Sequence, residues 1–335
     1  MRSCAISHSP RVAEPVGPTL PGPDYDLAAV AFNLLLAAVV LLGLVRPEVG
    51  LALDPARRWL VVAVMFVTAL TLPGERLRRA AGNFRGLGSA FAVGQLALPL
   101  AFTLAARLLH PGDAAAQAGL VLLGALPCTL ASATVWTRLA GGDDALALTY
   151  TVASNLLAVV TIPAVLLVAL GSRVELPLAR MTGDLVVVVL LPVAAGQLAR
   201  RAAPVRAPVT TRAAGVIARG LILSIVLVAV SGSAATVRQD PAQVARTGAL
   251  CVLLHVGALW LGAALARRLG APREEQIAVA FAGAQKTLFV GAFLAGEYFP
   301  GAPLALLPVT AYHVLQLVLD TAVANRLARG GAHAV

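Results

Sequence analysis

Ten apolar stretches, each about as long as a helix must be to cross a bilayer, follow one another through this chain with few charges inside them. They fall near 28–45, 59–73, 86–109, 115–139, 145–170, 184–200, 214–234, 243–269, 276–296 and 303–328. In hydrocarbon every backbone amide and carbonyl must be satisfied within the protein, and for stretches of this length the α-helix does that. Hydrophobic residues make up 59% of the chain and charged residues 13%, where a soluble domain carries about a quarter charged residues. The expectation is an all-α polytopic membrane protein with ten transmembrane helices.

The net charge of +10 would suggest a nucleic-acid partner in a soluble chain. Here the basic residues track the loops instead. With the N-terminus in the cytoplasm, 17 of the arginines fall on the inside, among them Arg76, Arg78, Arg79, Arg200, Arg201, Arg267 and Arg268, and 8 fall outside. The positive-inside rule then places both termini in the cytoplasm, in the cell (inner) membrane, with the lipid bilayer as partner and no nucleic acid. Residues 1–27 are polar and proline-rich and lack the apolar core of a signal peptide; they read as a disordered cytoplasmic tail, and 329–335 as a second, short one. Three cysteines, Cys4, Cys128 and Cys251, have no paired spacing, so no disulfide framework or zinc site is implied.

The first five stretches (28–170) and the last five (171–328) align with an offset of about 155–159 residues. Five is odd, so the second half must be inverted relative to the first, as in many secondary transporters. The fourth stretch of each half carries a helix break, at Leu126-Pro127-Cys128-Thr129 and at Gly283-Ala284-Gln285. Pro127 removes a helical donor and crowds the preceding turn. Broken helices at matching positions point to a midplane site for ions and substrate.

Lys286, the chain's single lysine, follows the second break. An ammonium at membrane depth is costly unless it is paired or lines a water-filled cavity, so the residue is a functional candidate. His313, Gln316 and Asp320 are spaced three and four apart and share one helix face, with Asp320 as a partner for Lys286 or a nearby arginine and a proton carrier. His255 reads as an interhelical hydrogen bond. Ser154 and Asn155 line the cavity or join helices. Arg138, Asp143 and Asp144 read as a solvated turn, and Glu297 and Tyr298 as interfacial anchors.

The stretches LPCTLASATVWTRLAGGDDALALTYTVASNLLAVVTIP (126–163) and IAVAFAGAQKTLFVGAFLAGEYFPGAPLALLPVTAYHVLQLVLDTAVANR (277–326), with Gly82-Asn83-Phe84-Arg85 and His255, resemble the SBF-like branch of the bile acid:sodium symporter superfamily. The resemblance implies a panel domain beside a core domain in which discontinuous helices 4 and 9 cross. It implies sodium ligands at Ser132, Thr134, Thr151, Gln95 and Gln285. The family's ninth-helix glutamate falls on Phe281, a fifth-helix hydroxyl on Ala147, and the amide after the glutamine on Lys286. The Lys286 ammonium then takes the place of a sodium ion among Gln95, Thr134, Thr151 and carbonyls near Gly283. A lysine that changed protonation with access state would couple transport to protons.

The functional expectation is a secondary transporter of a small organic anion, driven by sodium or protons, with Cys128, Thr129 and Thr287 completing the binding set. No cofactor is expected apart from a sodium ion, and the chain is read as a monomer or homodimer. One alternative is an arsenite-type exporter using the Cys128 thiol, because the Pro127-Cys128-Thr129 region resembles that of arsenite permeases. Another is a non-transporting regulator of ion homeostasis. An enzyme is not expected, since neither a His-Glu-x-x-His helix nor a nucleophile elbow occurs.

Overall fold

The computed structural model describes residues 23–72, 82–130, 132–171, 176–201, 208–300 and 302–332, and these are helical with short connections and no strand. Arg76, Arg78 and Arg79, and residues 1–22 and 333–335 of the expected tails, lie outside the described residues. The helices are α1 (Pro23–Val45), α2 (Pro47–Leu51), α3 (Arg57–Thr71), α4 (Phe84–Leu109), α5 (Ala114–Ala125), α6 (Ser132–Leu139) and α7 (Asp144–Leu170). They continue with α8 (Leu178–Ala199), α9 (Pro208–Gln239), α10 (Pro241–Arg268), α11 (Arg273–Ala284), α12 (Leu288–Tyr298) and α13 (Pro303–Ala332). The first helix thus starts inside the stretch expected to be a tail, and α13 runs on into the second one.

Among the described residues, seven helices are long and apolar enough to cross a membrane, and the pair Leu34–Val45 and Pro47–Thr71, bent by 99°, would make an eighth. The chain is a multi-pass membrane protein. Leu100, Leu108, Val160, Val168 and Leu253 stand exposed along α4, α7 and α10, as side chains facing lipid would.

Local sequence fixes the helix starts. Asn83 caps α4 by accepting from Gly86 N at 2.9 Å, Asp113 caps α5, and Asp143 accepts from two amides of α7, each at 3.0 Å. Asp240 caps α10 with Pro241 at its first turn. These side chains satisfy amides that have no partner within the helix. Asp143 therefore serves as a cap, and only Arg138 with Asp144 forms the exposed ion pair of the expected solvated turn.

The broken element α11–α12 lies at the centre. Its most apolar window is 94% buried, against 33–50% for the other long helices. It packs on α4, α6, α7 and α10, while α5 packs on α4, α7 and α13. A second group, α1, α3, α8 and α9, packs together and meets the first chiefly through α8 on α7 and α9 on α13.

A polar cluster ties the two groups at one end. Arg58 on α3 pairs with Asp184 on α8 at 2.7 Å, Tyr298 on α12 donates to Asp184 at 2.6 Å, Arg180 pairs with Glu297, and Arg57 donates to Ala292 O at 3.2 Å. Glu297 and Tyr298, expected as membrane-interface anchors, are thus engaged with protein groups.

Candidate functional site

The first break opens because α5 cannot continue through Pro127. Leu126 N donates to both Leu122 O and Leu123 O, Pro127 has no donor, and Cys128 N turns to Ser154 Oγ at 3.3 Å. The carbonyls of Gly124 and Leu126 are left without a helical partner, as at any helix C-terminus.

A third carbonyl is stranded on α4. Residues Ala92–Ala97 form a π-helical turn, in which Leu98 N donates to Val93 O. The next residue, Pro99, has no amide hydrogen to give. Gly94 O therefore has no backbone donor, the usual consequence of a π-turn beside proline. Gly94 must also be glycine: a Cβ there would meet Tyr150 Oη at 2.1 Å and Gly283 O at 2.9 Å.

Lys286 satisfies all three. Its Nζ donates to Gly94 O at 2.5 Å, Gly124 O at 2.8 Å and Leu126 O at 2.8 Å, and the residue is 1% exposed. An ammonium has three donors and no acceptor, so its hydrogen-bonding capacity is filled. It also sits at the negative end of α5. These partners replace the expected ones: Gln95, Thr134, Thr151 and the carbonyls of the chain near Gly283 are not among them. Gly283 remains within α11, where its missing Cβ admits Val93 at 3.2 Å; the second break is Gln285–Thr287 instead.

The two breaks meet. Thr287 N donates to Pro127 O at 2.9 Å. Each break residue is then clamped by the long helix that follows it. Asn155 Nδ2 donates to Cys128 O at 2.8 Å, and Ser154 accepts from Cys128 N as above. In the other half, Gln316 Nε2 donates to Lys286 O at 2.9 Å and its Oε1 accepts from Lys286 N at 3.0 Å. Ser154 and Asn155, both buried, thus join α7 to the backbone of the first break. Gln316, noted in sequence only as part of a polar stripe, belongs to the site.

Asp320 does not pair with Lys286 or an arginine. Its Oδ1 faces His255 Nε2 at 2.8 Å and its Oδ2 accepts from Gln285 Nε2 at 2.6 Å. His255 Nδ1 lies 3.0 Å from Tyr312 Oη, which donates to Ala284 O at 2.6 Å. Because the tyrosine proton goes to a carbonyl, its oxygen accepts from Nδ1–H. One further proton must then lie between Nε2 and Asp320, since two acceptors would otherwise face each other. Asp320 and His255 are 0% and 1% exposed, so the interhelical role expected of His255 is combined with a carboxylate the sequence did not assign to it. Arg326, the other expected neighbour, is exposed.

The remaining candidates divide. Gln285 Oε1 accepts from Ser132 Oγ at 2.8 Å and from Thr129 Oγ1, and Thr129 Oγ1 also accepts from Ala133 N at 3.3 Å. Thr151 donates to Cys128 Sγ at 3.4 Å. Of the five residues expected to bind sodium, Gln285 and Ser132 are therefore joined to each other and Thr151 is joined to a thiol. Phe281, where the family pattern has a carboxylate, is buried in the core. Among the described residues no three of His, Cys, Asp or Glu cluster as a metal site. Five buried atoms near the breaks have no partner among the described residues: Gln95 Nε2, Thr134 Oγ1, Asn155 Oδ1, Thr287 Oγ1 and His313 Nε2.

Two interlocked chain breaks, buried among long apolar helices with an ammonium and a carboxylate beside them, define a helical membrane protein with a polar centre at the depth of its spans. Residues 31–329 match the sequence profile of the SBF-like CPA transporter family. The chain belongs to that family, as its two long motif stretches indicate. It is 32% identical over 220 residues to the "Uncharacterized protein PA2026" of Pseudomonas aeruginosa, covering 63% of this chain and 65% of that one. It is 29% identical over 317 residues to the "Probable sodium/metabolite cotransporter BASS4, chloroplastic" of Arabidopsis thaliana, covering 89% and 72%. The protein of that same name from Oryza sativa subsp. indica is 30% identical over 227 residues, covering 62% and 53%. The matches thus span less than two thirds of the Pseudomonas and rice proteins.

Proposed function

We propose that this chain is a secondary active transporter of a small organic anion, working by alternating access in the cell membrane with both termini in the cytoplasm. The observation that carries the reading is the contact between the breaks, Thr287 N on Pro127 O. Discontinuous helices meeting in this way gather helix ends of both polarities around one point.

In this reading the chain has ten spans in two inverted repeats. α1, α3, α4, α5–α6 and α7 correspond to α8, α9, α10, α11–α12 and α13. The shared device of a break followed by a clamping helix, Cys128 with Ser154 and Asn155 and Lys286 with Gln316, supports the correspondence. α1, α3, α8 and α9 form the panel and the other helices the core.

The polarity around the second break suits an anion. α12 begins at Thr287 with no side-chain cap, so its first amides and its positive dipole end are available. Beside them, Thr287 Oγ1 and His313 Nε2 are buried without partners. His313 Nδ1 lies 3.0 Å from Gln316 Nε2, an amide that can only donate, so in the neutral ring the hydrogen sits on Nε2. A hydroxyl and an N–H donor at a helix N-terminus fit a carboxylate or sulfonate. The driving ion is sodium or the proton, the first being in the names of the plant relatives.

The test is uptake by proteoliposomes of a panel of labelled carboxylates and sulfonates under an imposed sodium or proton gradient. Accumulation above equilibrium, weakened in Thr287→Val and His313→Phe, is expected. Folded protein that accumulates none of them under either gradient would leave the regulator reading in its place. Arsenite resistance that depended on Cys128 would favour the exporter.

A further inference from the structure

We propose that the carbonyls of Gly94, Gly124 and Leu126 form a monovalent-cation cage that the chain fills with its own side chain, so that Lys286 is a tethered cation doing the work of a bound ion.

The cage is built by the backbone and not by Lys286. Gly94 O is stranded by the π-turn and Pro99; Gly124 O and Leu126 O are stranded by the end of α5 at Pro127. All three converge on one atom at 2.5–2.8 Å, yet they come from two separate elements, α4 and the α5 break. Three converging buried carbonyl oxygens, two of them at a helix C-terminus, are an unfavourable set unless a cation or donors occupy the centre. Oxygen ligands of this type are what hard cations take.

The occupant differs from an ordinary buried lysine in one respect. Among the described residues, no carboxylate forms an ion pair with it; the only buried pair of this kind is His255 with Asp320. The charge of Lys286 is balanced by carbonyl dipoles alone. A structural lysine bound for ion pairing would sit beside Asp320, whose carboxylate is one residue away through Gln285. The ammonium instead occupies a position suited to a free ion.

Tethering changes the coupling. A free ion in the cage would add its binding energy only when present in solution, whereas the Lys286 ammonium needs no ion from solution. The consequence for coupling rests on the transporter reading above: no free monovalent cation is taken up at this point of the cycle. The cage itself does not depend on that reading.

Chemical rescue tests the proposal. Lys286→Ala deletes a propylammonium-sized piece and leaves the carbonyls in place. The full-length variant is extracted and purified in detergent with propylammonium chloride, sodium chloride, choline chloride or propanol, and its melting is compared with that of the parent chain. The parent, whose cage is already filled, sets the baseline in each salt. Lys286→Ala is expected to melt lower, and to regain on the order of 3 °C or more in propylammonium or sodium but not in choline or propanol. Lys286→Met, which fills the space without charge, is expected to be destabilised and to gain from neither cation. Should Lys286→Ala be recoverable only when a small cation is present during extraction, the cage is supported. A Lys286→Ala chain that is as stable as the parent, or that gains no more from propylammonium or sodium than the parent does, overturns the proposal. None of these measurements uses the transported anion, so failed anion uptake would sink the transporter reading and leave the cage standing.

Discussion

Lys286 Nζ lies 2.8 Å from the carbonyl oxygen of Leu126, the residue just before the proline that ends α5. The next residue along, Thr287, donates its amide to the carbonyl of Pro127 itself at 2.9 Å. The residues that break one half of the chain therefore satisfy the carbonyls stranded by the break in the other. Neither break is complete alone, and the buried polar backbone of both is accounted for only when the halves are together.

Gly94 is the residue least tolerant of a side chain near the cage. Gly94→Ala places a Cβ against Tyr150 Oη at 2.1 Å and Gly283 O at 2.9 Å. It is expected to cost about 2 kcal/mol or more through backbone displacement in a packed core. Gly88→Ala, on the same helix with nothing within 4 Å, is expected to be neutral or to gain up to about 1 kcal/mol from helix propensity. Melting in detergent separates the two; equal effects would mean that the π-turn is not tightly packed.

Gln316 holds both backbone groups of Lys286. Gln316→Leu leaves a buried amide and a buried carbonyl unpaired, at about 1–3 kcal/mol each. The loss should appear as faster hydrogen exchange at Lys286 and Thr287, while exchange at Cys128, held by Ser154 and Asn155, changes less.

Asp320→Asn preserves every contact. The asparagine oxygen accepts from Gln285, and its amide donates to His255 Nε2 while Nδ1–H remains on Tyr312. The variant is expected to melt within about 1 kcal/mol of the parent, whereas Asp320→Leu strands Gln285 and His255 and costs about 2–5 kcal/mol. Melting curves of the two variants beside the parent check the difference.

At the polar end of α3, α8 and α12, Asp184 serves Arg58 and Tyr298 at once. Asp184→Ala is expected to cost about 1–2 kcal/mol, more than an exposed pair, because two partly buried donors lose their acceptor. Glu297→Ala, which removes only the solvent-facing partner of Arg180, is expected to cost under about 1 kcal/mol. In the transporter reading this cluster joins panel to core, so Asp184→Ala should also raise thiol labelling in an Ala292→Cys background.

Much of the molecule was written in the order of residues along the chain. Apolar stretches of bilayer length leave the backbone no choice but helix, and Pro127, with no amide hydrogen to give, marks the end of α5, although Pro163 and Pro308 are carried inside α7 and α13. The importance of Lys286, Gln285 and Asp320 was legible for the same reason: polar groups at that depth must be satisfied. Which group satisfies which was not. Periodicity put His313, Gln316 and Asp320 on one helix face, but only the packing of α10 against α13 brought His255 to Asp320, 65 positions away. The partners of Lys286 were hidden for a different reason. They are main-chain carbonyls, which every residue possesses, and what singles out Gly94, Gly124 and Leu126 is the hydrogen bond each fails to make. That failure comes from a π-turn and a helix end. Only when the folded chain brings those two places to within an ammonium's reach of each other do they become a site.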